Sequence, residues 1–255
     1  MITEADVPVV YRDAWLLVVN KPVGIATTAP DGGPCLFALA RALDPDAPQL
    51  HPLSRLDTQV SGLVTFARTE RANAWAMDAR KRGDLWRRYL GISTRRPDAL
   101  EGDYRYSVGI DPRDPKKRVA LAEEARGAQV KQAHTRYRVH AEAGPLCAID
   151  FYPQTGRTHQ LRVHASAAGC ALAGDVAYGG SKRLTLPNGR ILTAGRVMLH
   201  CAFFRMLKPT SKPIERADPS AWIELSLPPP ADMQQLWRSA GGDPEQLSAE
   251  RSPGT

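Results

Sequence analysis

The chain has 255 residues, 43% of them hydrophobic and 24% charged, a balance that excludes a disordered or fibrous polymer and allows a sizeable core. Its formal charge of +7 and sequence pI near 9.4 favour a polyanionic partner without identifying one. The longest early apolar run, Trp15-Leu16-Leu17-Val18-Val19, is far short of the ~20 residues of a membrane helix. Met1-Ile2-Thr3-Glu4-Ala5-Asp6 has no basic segment leading into an apolar one, so no signal peptide is expected.

In chain order, Val9–Tyr11 and Leu16–Val19 read as short strands stopped by Asn20-Lys21-Pro22 and Gly24. Cys35 to Leu43 has helical spacing, with Leu36, Ala40 and Leu43 on one side. Ser61 to Ala67 reads as a buried strand, Arg71 to Arg82 as a helix with a very basic end, and Tyr89–Ile92 as a further strand. The Pro/Asp/Lys-rich stretch from Asp111 to Lys117 is expected to be a loop, followed by an ambiguous segment to Lys131. Thr135–Val139 and Leu146–Tyr152 alternate like paired antiparallel strands. Thr158 suits the N-cap of a helix running to about Ala168, with Leu161, Ala165 and Ala168 as its buried stripe and Gly169 as its terminator. Val197–Leu207 and Trp222–Leu227 read as strands and Met233–Ser239 as a short helix. Strands outside regular βαβ units favour an α+β class with a mostly antiparallel sheet. A single domain over 1–241 and a disordered tail over 242–255 are expected.

Cysteines at 35, 147, 170 and 201 are scattered, which argues for reduced thiols in a cytoplasmic protein and against a disulfide framework or zinc site. Cations cluster in Arg80-Lys81-Arg82, Arg87-Arg88, Arg95-Arg96 and Lys116-Lys117-Arg118, with Trp75, Trp86 and Tyr89 among them. Interleaved cations and aromatics suit phosphate contact and base stacking, although solvated surfaces would read the same way. His159 and His164 are five apart and lack a suitably spaced cysteine or carboxylate, so no metal is expected. No glycine-rich nucleotide loop is present and no cofactor is called for.

Two dense segments carry the chemistry: Leu53-Ser54-Arg55-Leu56-Asp57-Thr58-Gln59-Val60-Ser61-Gly62 and Gln154-Thr155-Gly156-Arg157-Thr158-His159-Gln160-Leu161-Arg162-Val163-His164. Taken alone, Asp57 is an ordinary turn or capping residue. Together with Asn20-Lys21-Pro22-Val23-Gly24 and Gly174-Asp175-Val176-Ala177-Tyr178-Gly179, the ordered segments resemble the RNA pseudouridine synthases of the RluA type over roughly residues 10 to 230. That resemblance implies a central mixed sheet with a cleft and a catalytic aspartate on a loop. With no stretch ahead of Val9 to hold it, the small N-terminal RNA-binding domain of some relatives is expected to be missing.

The resemblance implies that Asp57 is the catalytic aspartate, acting as nucleophile or as base in its ionised form. It further implies that Arg162 contacts and orients that carboxylate and that Tyr89 stacks on the flipped uracil. Arg55 is the candidate to fill the stack left by the flipped nucleotide, since a planar guanidinium can replace a base. Many relatives have His where this chain has Ser54, so RNA contacts near Arg55 are expected to differ. Lys21, Arg157 and His159 are expected at the RNA, with Gly156-Arg157-Thr158 offering a phosphate site at a helix start. Asp175 and Tyr178 are expected to shape the loop after the Arg162 helix. The implied function is isomerisation of a uridine in a ribosomal or transfer RNA stem-loop by a monomer without metal or cofactor. The competing readings are a non-catalytic RNA-binding module and, more remotely, an aspartate-dependent glycoside hydrolase, which would want a second carboxylate ~5–10 Å away.

Overall fold

The computed structural model, which describes residues 2–186, 188–209 and 216–248, turns the apolar runs into strands and the amphipathic stretches into helices. The strands are β1 (Val9–Arg12), β2 (Leu16–Lys21), β3 (His51–Pro52), β4 (Ser61–Ala67), β5 (Leu85–Ser93), β6 (Glu101–Asp111), β7 (Asp114–Leu121), β8 (Lys131–Ala143), β9 (Leu146–Pro153), β10 (Arg183–Thr185), β11 (Ile191–Thr193), β12 (Leu199–Leu207) and β13 (Trp222–Ser226). The helices are α1 (Leu36–Leu43), α2 (Glu70–Lys81), α3 (Gln160–Ala167) and α4 (Ala231–Ser239). Pairing is mostly antiparallel, and the class is α+β as expected. None of the described helices is long and apolar enough to cross a membrane. Packing divides the chain into two compact units: Met1–Arg88 with Cys201–Leu227, and Tyr89–His200 with Pro228–Thr255.

In the first unit, β2 and β4 pair from Leu16↔Ala67 to Lys21↔Gly62, and every residue of β4 is buried. Burial on both faces explains why both strands read as continuous apolar runs instead of alternating ones. At Gly62 (φ +115°) a Cβ would lie 2.3 Å from the Cys201 carbonyl oxygen, so only glycine fits. Helix α2 starts where the Thr69 hydroxyl accepts the Ala72 amide proton, and it carries Glu70 in its first turn and Arg80 and Lys81 in its last. Each of these complements the helix dipole, while Ala72, Ala76 and Ala79 form the buried stripe. The buried Asp44 carboxylate is satisfied by Arg68, with Nε at 2.6 Å and Nη2 at 3.0 Å.

In the second unit the sheet runs β5-β9-β8-β6-β7. The expected Asp111–Lys117 loop is instead a hairpin, in which Asp111 pairs with Asp114 across Pro112-Arg113. Its composition is loop-like, but proline is tolerated at a tight turn and on an edge strand, and β7 ends the sheet order. Across β5, β9 and β8, Tyr89, Phe151 and Tyr137 share one face, and β6 and β8 on that face pack against α3. The expected disordered tail is ordered through Ser248: Leu247 is buried, and the Trp237 indole N–H donates to Gln246 Oε1 at 3.3 Å. Residues 249–255 lie outside the described set. All four cysteines are free and buried. Burial pushes the Cys147 thiol up to about 12, and the Cys170 thiol is raised by the same cause.

Candidate active site

The segment before Asp57 is fixed by its backbone. Leu53 N–H donates to Thr65 O at 2.9 Å, and Thr65 N–H donates to the Ser54 hydroxyl at 3.2 Å. Ser54 is therefore a buried strand brace, with its hydroxyl turned inward. The Thr27 hydroxyl clasps Leu56 from both sides, accepting from its N–H at 2.9 Å and donating to its carbonyl at 3.0 Å. Val60 N–H closes the turn onto Asp57 O at 3.0 Å, and Gly24 N–H reaches Thr58 O at 2.8 Å. With Leu53, Leu56 and Val60 buried as anchors, Arg55 is exposed and Asp57 is half-buried. This alternation leaves a carboxylate on a rigid turn with a guanidinium two residues before it.

Lys21 departs from expectation. It is completely buried, and its ammonium donates to the carbonyls of Pro22 and Ile25, each at 2.8 Å. A side chain so enclosed braces the turn that reaches Thr58, and direct RNA contact by Lys21 is corrected on that ground.

In the second unit, Tyr89 is 7% exposed on β5, on the sheet face where α3 packs. Helix α3 begins at Gln160, one residue beyond the start that an N-cap at Thr158 would give, and Thr158 does not cap it. His159 occupies the cap position at φ 56°, the one positive φ among described non-glycine residues. Gln160 performs the bracing: its Oε1 accepts from Arg157 N–H at 2.9 Å and the Thr155 hydroxyl at 2.7 Å. Its Nε2 donates to His134 O and Thr135 Oγ1. Arg157 stays exposed, with its Nε on Gln132 O at 2.9 Å.

Arg162 is 8% exposed and is clamped by the Asp175 carboxylate, its Nε and Nη2 each donating at 2.7 Å. A buried bidentate pair of this kind holds the guanidinium by its edge and fixes the direction in which it points. Its Cζ sits 4.8 Å from the centroid of the Tyr178 ring. The Tyr178 oxygen lies 2.7 Å from His159 Nδ1 and accepts the Arg118 amide proton at 2.9 Å. Asp175 and Tyr178 thus do more than shape a loop: they hold Arg162. The repeated glycines of Gly174-Asp175-Val176-Ala177-Tyr178-Gly179 marked the loop, while its charge partner lay thirteen residues upstream. His159, expected at the RNA, is half-buried and turned onto Tyr178.

His164, on the same helix, is completely buried, and neither ring nitrogen has a hydrogen-bond partner. Its ring meets those of Tyr104 and Tyr106 edge-on, and burial drives its pKa down to about 4. A cavity of about 430 Å³ opens beside Tyr178, lined among others by Lys117, Arg118, Val163, Ser166 and Ala167. Among the described residues, no three His, Cys, Asp or Glu side chains gather as a metal site would require.

Residues 15–167 match the family model described as RNA pseudouridylate synthase. The "Ribosomal large subunit pseudouridine synthase D" of Xanthomonas campestris pv. campestris is 32% identical over 246 residues, covering 91% of this chain and 69% of that protein. The "Uncharacterized RNA pseudouridine synthase YhcT" of Bacillus subtilis is 26% identical over 239 residues, covering 92% and 72%. Among solved structures, "Human RNA Pseudouridylate Synthase Domain Containing 4" superposes with a TM-score of 0.65 at 21% identity, over 90% of this chain and 92% of that one. "Human RNA Pseudouridylate Synthase Domain Containing 1" gives 0.63 at 24% identity, over 100% and 99%.

Proposed function

The chain belongs to the RNA pseudouridylate synthase family, whose members are isomerases, and from that premise we propose that it converts a specific uridine of ribosomal or transfer RNA to pseudouridine in the cytoplasm. Asp57 is the catalytic carboxylate, Arg162 orients it, and Tyr89 offers its ring to the uracil. The reaction breaks the N1–C1′ bond, turns the uracil, and joins C5 to C1′. The proton lost from C5 is balanced by one gained at N1, so no cofactor is required. Asp57 opens this sequence either by attacking an electron-poor carbon or by removing a sugar proton. Arg55 fills the stack vacated by the flipped nucleotide, and Arg157 meets a phosphate.

The observation that carries this reading is that the matched stretch, 15–167, contains Asp57, Tyr89 and Arg162 together. A half-buried carboxylate on an anchored turn suits a group that must act on a base brought to it. A pure RNA binder gains nothing from an acid facing a polyanion.

The test is to incubate the protein with ribosomal and transfer RNA transcribed with 5-tritiated uridine. Isomerisation releases the tritium from C5 and leaves pseudouridine in the digest. Free uracil would favour the glycoside hydrolase instead, and retention of all label as uridine would favour a binding module. Mapping the modified position in RNA from cells with and without the protein then identifies the target.

A further inference from the structure

We propose that Tyr178 is a positioning residue for Arg162, setting the plane of the guanidinium that Asp175 holds by its edge. The inference rests on the isomerase reading above, in which Arg162 orients the catalytic carboxylate.

Arginine reaches its target through a long flexible stem, so a fork aimed at one carboxylate has to be fixed by its surroundings. Asp175 fixes it within a plane through Nε and Nη2, both at 2.7 Å. Both bonds meet the guanidinium at its edge and neither touches its face. The Tyr178 ring, 4.8 Å from Cζ, supplies the constraint from the face, where a ring quadrupole attracts a cation.

The ring can do this only if it is fixed itself. Tyr178 is buried, and its hydroxyl is tied to two separate elements: the Arg118 amide of β7 at 2.9 Å and His159 Nδ1 at 2.7 Å. The Arg118 amide donates to the Tyr178 oxygen, and the hydroxyl and His159 Nδ1 share the second bond. His159 and Arg162 lie three apart at the start of α3, so one tyrosine spans that turn, hydroxyl at one residue and ring at the other.

The backbone of His159 is an independent observation. Its φ of 56° is unfavourable for a residue with a Cβ, and it persists without any side-chain cap on the helix start. Such a conformation survives where its surroundings over-determine it, and here the bond to Tyr178 is a contact that turns the ring inward.

The test compares the wild type, Tyr178→Phe, Tyr178→Leu, Arg162→Lys and Arg162→Lys/Tyr178→Leu. Single-turnover tritium release and filter binding are measured on the 5-tritiated ribosomal and transfer RNA, with thermal melts alongside. Tyr178→Leu is expected to slow turnover ~30- to 100-fold with RNA affinity within about twofold. Tyr178→Phe keeps the ring but not the anchor and is expected to lose ~3- to 10-fold. In the Arg162→Lys background, Tyr178→Leu should cost no more than about twofold, because the guanidinium it positions is already gone.

Equal losses in both backgrounds, or a loss of affinity in place of rate, would overturn the proposal. If the leucine variant does not fold, Tyr178→Phe decides: a wild-type rate from a protein of unchanged melting temperature also overturns it. An active wild type with unaffected Tyr178 variants removes only the positioning role. A wild type that forms no pseudouridine removes the isomerase reading and this inference with it.

Discussion

The turn that presents Asp57 is anchored almost wholly through main-chain groups, by Thr27 on Leu56, Gly24 on Thr58 and Val60 on Asp57 itself. Arg162 is anchored through side chains, with a buried carboxylate at its edge and an aromatic ring at its face. The difference has a physical basis. In the proposed reaction the Asp57 carboxylate has to be held in place, and the main-chain bonds around it fix the turn whatever the side chain itself meets. A buried cation has to be neutralised where it stands, because an uncompensated charge in the interior costs several kcal/mol. Fold and function should therefore separate at Asp57 and remain entangled at Arg162.

The largest effect expected from this contrast is at Asp57. Asp57→Asn should reduce pseudouridine formation by at least ~10³-fold while shifting the melting temperature by no more than ~2 °C. Tritium release paired with a thermal melt checks it, and an asparagine variant turning over near the wild-type rate would remove Asp57 from the chemistry.

Next come the two sides of the buried pair. Arg162→Lys should slow turnover ~100-fold because an ammonium cannot reproduce the fork. Asp175→Asn should leave Arg162 without its counter-charge, lowering stability by ~3 kcal/mol as well as rate. If denaturant unfolding finds Asp175→Asn as stable as wild type, the entanglement of fold and function in this region is broken.

Acid offers a gentler probe of the same helix. Burial lowers the pKa of His164 from 6.5 to about 4, so the fold favours its neutral form. Above pH ~6.5 the full stabilisation is present. As pH falls from there toward about 4 the unfolded chain takes up the proton first, and stability declines. The loss should be on the order of 2–3 kcal/mol across that window, and His164→Phe should flatten it. Amide exchange at pH 5 should rise in α3 more than at Leu56 and Val60; a uniform rise would show that acid acts elsewhere.

The smallest expected effect is at Thr27. Thr27→Val removes two buried hydrogen bonds to Leu56 and should cost ~1–3 kcal/mol, with a modest loss of rate as the Asp57 turn loosens. Thr27→Ser keeps the hydroxyl and should cost less. Equal stability of the valine and serine variants would mean that the clasp contributes nothing.

Much of this was legible in the sequence. The strand over Ser61–Ala67 and the helix begun near Arg71 follow from apolar continuity and from the alanine stripe beneath a charged surface. What stayed hidden depended on pairing at a distance. The β6–β7 hairpin looked like a loop because its turn chemistry, Asp111-Pro112-Arg113-Asp114, extends into strands whose cross-strand partners are invisible to local pattern. The start of α3 was misplaced because Thr158 is a good cap by type, whereas Gln160 secures the turn by reaching back to Thr155 and Arg157. Lys21 looked like an RNA contact because lysines are almost always exposed, and nothing nearby announced the two carbonyls that hold it inside. Leu247, buried in a Pro/Gly-flanked polar stretch, shows how one anchoring side chain can order a segment whose composition suggests none.

The four buried cysteines have a practical consequence. A thiol reacts with alkylating and disulfide reagents as its thiolate, and none of these four is presented to solvent, with Cys147 raised to about 12. The folded native chain is therefore expected to react slowly with such reagents. A single cysteine introduced at the exposed Thr58 or Lys116 is expected to react far faster than the buried four. Tethering RNA that carries a thiol at chosen nucleotides to such sites would map the bound strand, with the parent chain as its own blank.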